Sequence, residues 1–167
     1  MAQFVKAGDR WGWLRVQVEG DDLVVRHVRA TNFGHEADDQ DNGEGCRGWP
    51  TAKRPNVPVV ALPFRIAQHR QFKDSPVPNL PVKSPSASGV IVRVFCPTTG
   101  KQVDAELADL GPSLYIGPVW KRRYLYTAID LSEATVRALR LTLAQGEYTV
   151  DFRIVGGAKY LSPEMRP

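Results

Sequence analysis

Apolar and polar residues alternate along Trp13-Leu14-Arg15-Val16-Gln17-Val18 and again along Leu23-Val24-Val25-Arg26-His27-Val28-Arg29-Ala30, with Glu19-Gly20-Asp21-Asp22 between them. A period of two on both sides of a polar, glycine-containing break predicts a β-hairpin. Residues 31–55 are polar, acidic and glycine-rich. They are too many for a tight connection and read as a surface loop over the functional face. Val57 to Leu62 predicts a short buried strand. Eight of the thirteen prolines then fall between Pro50 and Pro85, and Pro76, Pro78, Pro81 and Pro85 make an extended, non-helical surface segment. Val90-Ile91-Val92-Arg93-Val94-Phe95-Cys96, the turn Pro97-Thr98-Thr99-Gly100 and Gln102 to Ala108 form the clearest hairpin in the chain. A loop from Asp109 to Thr127 carries Gly111, Pro112, Gly117 and Pro118 among four aromatic residues, Tyr115, Trp120, Tyr124 and Tyr126. Ser132 is placed to cap a helix whose apolar face, Ala134, Val136, Leu139 and Leu141, runs to Leu143, with Gly146 closing it. Alternation returns at Tyr148, Val150, Phe152 and Ile154, the last strand. Five or six strands, one helix and long loops predict a small β-barrel with a helical crossover.

Composition narrows this little further. A chain of 167 residues that is 43% hydrophobic and 24% charged is one globular domain, large enough to hold its core without metal or disulfide. No apolar run approaches the ~20 residues that cross a bilayer, and the N-terminal stretch has no secretory pattern. Cys46 and Cys96 either pair or stay reduced; two cysteines decide no compartment. Charge is more informative. Glu36, Asp38, Asp39, Asp41 and Glu44 concentrate five negative charges in nine residues, so a net charge of +4 leaves +9 on the rest. A body this basic attracts an anionic polymer, whether nucleic acid, acidic cell-wall glycan or teichoic acid, unless the charge serves solubility alone.

Val103-Asp104-Ala105-Glu106-Leu107-Ala108-Asp109-Leu110-Gly111-Pro112, followed by Ala128-Ile129-Asp130-Leu131-Ser132, resembles the double-psi β-barrel domain, and within it the group of rare lipoprotein A, expansins and family 45 glycoside hydrolases. In that family a strand enters an Asp-x-Gly-Pro turn, a variable loop follows, and an Ile-Asp-Leu-Ser segment opens a helix. Ala30-Thr31-Asn32-Phe33-Gly34 resembles its opening strand, Ala61-Leu62-Pro63 its Leu-Pro strand, and Val90 to Val94 with Thr99-Gly100-Lys101 its central hairpin. The chain departs from the transglycosylase pattern in two places. Pro58-Val59-Val60 stands where a His is usual, and Asn42-Gly43-Glu44 lies earlier than the family's Asn-Gly-Glu.

The resemblance implies a mainly β fold, a six-stranded double-psi β-barrel with one or two short helices and long loops. It divides the single domain 1–167 into a hairpin extension at 1–29, the barrel at 30–155 and a tail at 156–167. It also implies a polysaccharide groove in which Asp109 matches the acidic residue of the transglycosylase turn. Asp130 matches the aspartate that expansins share with the hydrolases' general acid. Such a function is expected outside the cell, in a periplasm or delivered by a phage.

Glycosidic cleavage needs a proton for the leaving oxygen and a group that attacks or stabilises the oxocarbenium-like centre. In a lytic transglycosylase the substrate's own hydroxyl attacks and Asp109 alone suffices. A hydrolase needs a second carboxylate, about 6.5 to 9.5 Å away for inversion, from Asp130 or from the Asp38, Asp39, Asp41 cluster, with Asp41 the best placed. Each aspartate also has a plainer role: Asp130 to hold a helix start, Asp109 to cap its own turn. Trp49, Tyr115 and Trp120 offer rings to the apolar face of a sugar, and Thr31 and Gly111 complete the expected substrate contacts. The acidic stretch is no EF-hand, because Gln40 and Trp49 stand at ligand positions. His27, His35 and His69 lack zinc-ligand spacing, so neither metal nor cofactor is expected. Three functions remain open: a glycan-cleaving barrel, a non-catalytic expansin-like binding and wall-loosening module, and a basic barrel for nucleic acid or protein, with nucleic acid the least favoured partner.

Overall fold

The structure, a computed structural model, describes residues 3–4, 14–33, 56–63, 75, 77, 79–81, 89–110 and 127–167. Its strands are β1 (Gln3–Phe4), β2 (Val16–Glu19), β3 (Asp22–Phe33), β4 (Val59–Leu62), β5 (Ile91–Cys96), β6 (Lys101–Leu110), β7 (Thr127–Ser132) and β8 (Glu147–Ile154), with one α-helix, α1 (Glu133–Ala138), between β7 and β8. Six of them close on themselves in the order β3-β7-β4-β6-β5-β8, with β8 pairing back onto β3. Strand β2 continues the sheet from the first half of β3, and β1 from β2.

Two of the barrel's pairings are parallel, β3 with β7 and β4 with β6; the others are antiparallel. After β3 the chain re-enters the barrel at β4, with β7 between them; after β6 it re-enters at β7, with β4 between them. Exchanging β3 with β6, β7 with β4 and β8 with β5 reproduces the strand order and both skips, so a pseudo-twofold axis runs between β4 and β7. The barrel is a double-psi barrel.

The two predicted hairpins are present, β2 with β3 and β5 with β6. In the second, Gly100 takes φ +69°, which a residue without a Cβ adopts freely, and its N–H donates to Cys96 C=O at 2.8 Å. Strand β3 belongs both to its hairpin and to the barrel, and a bulge makes that possible. Arg26 and His27 together oppose Asp151, His27 sits at φ +53°, and its N–H donates to the Asp151 carboxylate at 2.8 Å. One extra residue bends the strand and increases its twist.

Val92, Val94, Ala105, Leu107, Ile129, Leu131, Val150 and Phe152 fill the barrel interior, all at most 1% exposed. A second, smaller cluster of Phe33, Val59, Ala61 and Ala108 packs outside it. Cys96 is a free, buried thiol.

Two expectations are corrected. Residues 128–132, expected only as the segment that opens the helix, form a strand together with Thr127, and all of it but Asp130 is buried. A central barrel strand covered on both faces has no polar alternation to reveal it. The helix also ends at Ala138, well short of Leu143. Leu139 caps it, Arg140 turns left-handed at φ +60°, and Leu141 N–H and Arg140 N–H close on Val136 C=O and Arg137 C=O, both at 3.0 Å. This is a Schellman motif with arginine in the usual glycine position. It returns Leu141 and Leu143 to the core as separate contacts. Gly146 instead terminates the short 3₁₀ turn Leu143–Gln145.

Candidate functional site

Three of the residues singled out in the sequence, Thr31, Asp109 and Asp130, meet across the central strands. Asp130 on β7 pairs with Thr31 on β3 on one side and with Ala61 on β4 on the other. Ala61 in turn pairs with Asp109 on β6. Thr31, Asp130, Ala61 and Asp109 therefore form a transverse row centred on the pseudo-twofold axis. The backbones of the two aspartates are two strand spacings, about 10 Å, apart. Glu147 on β8 extends the row beyond Thr31 and is ion-paired with Arg29.

Asp109 reaches this row through an irregularity in β6. Strict alternation after Val103, Ala105 and Leu107 would direct it into the barrel. Val60 faces Leu107, but Ala61 faces Asp109, so Ala108 is an extra residue on that strand. The extra residue shifts the alternation by one and re-aims the side chains after it. Asp109 is half-buried and shares its register with Ala61, which belongs to the smaller outer cluster.

Asp130 is half-buried, and its Oδ1 accepts a 2.8 Å hydrogen bond from the hydroxyl of Thr31, itself only 4% exposed. The cap of α1 is Ser132, whose Oγ accepts Val59 N–H at 3.0 Å and Thr135 N–H at 3.4 Å. Thr135 Oγ1 donates to Val59 C=O at 2.8 Å, so the helix start is tied to β4 beside the row.

Periodicity had marked Tyr148 only as a core residue. Its hydroxyl donates to Thr142 C=O at 2.7 Å and accepts from Asn32 Nδ2 at 2.9 Å, and Asn32 also donates to Leu143 C=O at 3.2 Å. Burial pushes the Tyr148 hydroxyl above its ordinary pKa and the charge of Asp130 acts in the same direction, while the Asn32 and Gly146 contacts oppose them. No sequence spacing announces this network, because its members are brought together by the β3–β8 pairing. The signal available was the Asn next to Phe33 at the end of β3.

Asp41, Trp49, Gly111, Tyr115 and Trp120 lie outside the described residues, as do Asp38 and Asp39. Among the described residues no three His, Cys, Asp or Glu side chains are grouped to hold a metal ion, and no helix is long and apolar enough to cross a membrane.

No protein-family model matches the sequence, and no curated protein does. Among solved structures, the chain is similar to the Streptomyces papain inhibitor at 20% identity and a TM-score of 0.44, over 81% of this chain and 94% of that one. It is also similar to an aspartate-to-asparagine mutant of a Clavibacter michiganensis expansin in complex with cellohexaose, at 19% identity and a TM-score of 0.41. That match covers 77% of this chain and 49% of the expansin, so the chain spans about half the expansin's length. Both likenesses are at low identity, and nothing about the site follows from them.

Proposed function

We propose that the protein acts on a cell-wall polysaccharide, cleaving peptidoglycan or a related glycan with Asp109 and Asp130 as its acid and base. The observation that carries this reading is the register row, in which the two carboxylates stand on either side of the single methyl group of Ala61. A backbone separation of about 10 Å leaves their carboxyl groups able to take up the 6.5 to 9.5 Å spacing, approximately, that admits a water or hydroxyl opposite the leaving group. Asp130, which accepts the Thr31 hydroxyl, presents a charge to the oxocarbenium-like centre. Asp109, at the end of β6, delivers the proton.

A second reading is a non-catalytic, expansin-like module, favoured by the same Thr31 bond: a carboxylate held in one orientation is also a good fixed acceptor for sugar hydroxyls. Incubation with purified peptidoglycan and soluble glucans, with products read by mass spectrometry, separates the two. Anhydro-ended or reducing-end products that vanish in Asp109→Asn are the expected result. Binding without products, unchanged in Asp109→Asn, overturns cleavage and leaves the second reading.

A further inference from the structure

On the far part of β8 from the row, the outward positions of three barrel strands build a cleft. Across β6, β5 and β8, Gln102, Phe95 and Asp151 stand in register. In the neighbouring row Asp104, Arg93 and Arg153 do the same. The β3 bulge brings Arg26 to the opposite wall. The cleft has a volume of ≈ 160 Å³, below the ~300 Å³ at which ordinary small-molecule sites begin. It suits one ring, not a chain.

Its chemistry is mixed but balanced. Arg93 and Arg153 face one another directly, an arrangement that repels. Each is neutralised from outside the cleft: Arg93 by both oxygens of Asp104 at 2.7 and 3.1 Å, Arg153 by Asp22 at 2.8 Å, and Arg26 by Glu19 at 2.8 Å. With Asp151 included, carboxylates outnumber guanidinium groups, so no surplus positive charge calls for an anion. Hydrogen-bonding capacity nevertheless remains. Among the described residues Arg93 Nη1 and Arg153 Nε have no partner. Asp151 Oδ1 takes the His27 N–H and leaves Oδ2 open, and Gln102 offers both a donor and an acceptor. Phe95, half-buried, supplies an aromatic ring between Gln102 and Asp151. Donors and acceptors held by ion pairs around an aromatic platform cost little ordering on binding.

We propose that this cleft is a second saccharide site, which stacks one neutral pyranose ring on Phe95 and holds its hydroxyls with Arg93, Gln102, Asp151 and Arg153. Arg153 is six residues along β8 from Glu147, about 20 Å, so the site is separate from the carboxylate row and stands whether or not that row is catalytic. The test is a titration of the full ¹⁵N-labelled chain, followed by amide chemical shifts, with methyl glucoside, N-acetylglucosamine, cellobiose and, separately, sodium sulfate. A neutral sugar at millimolar concentration is expected to shift Arg93, Phe95, Gln102, Asp151 and Arg153. Gln102→Ala and Phe95→Leu should each weaken that binding at least tenfold, while Asp109→Asn titrates as the parent does. Phe95→Leu keeps the bulk of the side chain, and Gln102 is exposed, so neither test depends on a damaged core. Absence of shifts with all three sugars, a response to sulfate alone, or unchanged affinity in Gln102→Ala overturns the proposal.

Discussion

Replacing Thr31 with valine tests a side-chain bond that orients the candidate site. The substitution keeps the β-branched shape that suits β3 and deletes only the hydroxyl that donates to Asp130 Oδ1 at 2.8 Å. Thr31 is 4% exposed, so water cannot easily take the place of the lost donor, and the acceptor is a carboxylate. Hydrogen bonds to charged groups contribute about 1.5–3 kcal/mol. In a chain of this size each kcal/mol moves the midpoint by about 2–4 °C, so Thr31→Val should melt roughly 3–12 °C lower. The assay is a double-mutant cycle with Asp130→Asn, read by thermal and urea unfolding. If the bond is the source of the loss, the two substitutions are non-additive by at least about 0.5 kcal/mol. Additive losses, or a Thr31→Val midpoint equal to that of the parent, would refute the assignment of Thr31 as the residue that orients Asp130.

Three further outcomes are expected. Gly157→Ala places a Cβ 2.8 Å from Ile154 Cγ2 and 3.2 Å from Leu23 Cγ, in a core that cannot give way, and should cost about 1–3 kcal/mol by urea unfolding; an unchanged midpoint would mean that the 3₁₀ turn Gly157–Tyr160 shifts freely. Ser132→Ala removes the cap of α1 together with the acceptor for Val59 N–H, and should cost about 1–2 kcal/mol, with Ser132→Thr retaining most of the stability. Asp22 is held below the usual carboxylate range, first by the Arg153 guanidinium and then by Gly156 N–H, and Asp104 likewise by Arg93. A lowered folded-state value means stability that is present above the unfolded value of about 3.9 and lost as pH falls through the folded one. Asp22→Asn should therefore be less stable than the parent near neutral pH and should lose less on acidification, in urea midpoints measured across the acid range. Parallel curves would remove Asp22 from the account.

What was legible in the sequence follows from which faces of each strand meet water. Strands β5 and β8 show one wet face and one dry, and their alternation was plain. Strand β7 lies between β3 and β4, is buried on both faces except at Asp130, and showed no alternation that would mark it as a strand. Ser132 announced the helix, but its end depends on Arg140 adopting a left-handed turn that glycine or asparagine would have signalled. Asp109 and Asp130 could be singled out by the turn and the segment they occupy. Their meeting around Ala61 could not, because it depends on one inserted residue, Ala108, in a pairing between strands far apart in the chain.

Closure of the barrel also fixes an order of events in synthesis. Of its six pairings only β5 with β6 joins strands that are neighbours in sequence, and the seam is sealed by β8, the last of the six in chain order. Until it leaves the ribosome, β3 and β5 each have an unpaired edge, which is where nascent chains associate wrongly. The early chain can form its two hairpins and little more, since distant pairings must first overcome loop-closure entropy. A chain that stops before Glu147 therefore leaves the β3 and β5 edges open at once, although the row that carries Asp109 and Asp130 already has all four of its strands, β3, β7, β4 and β6.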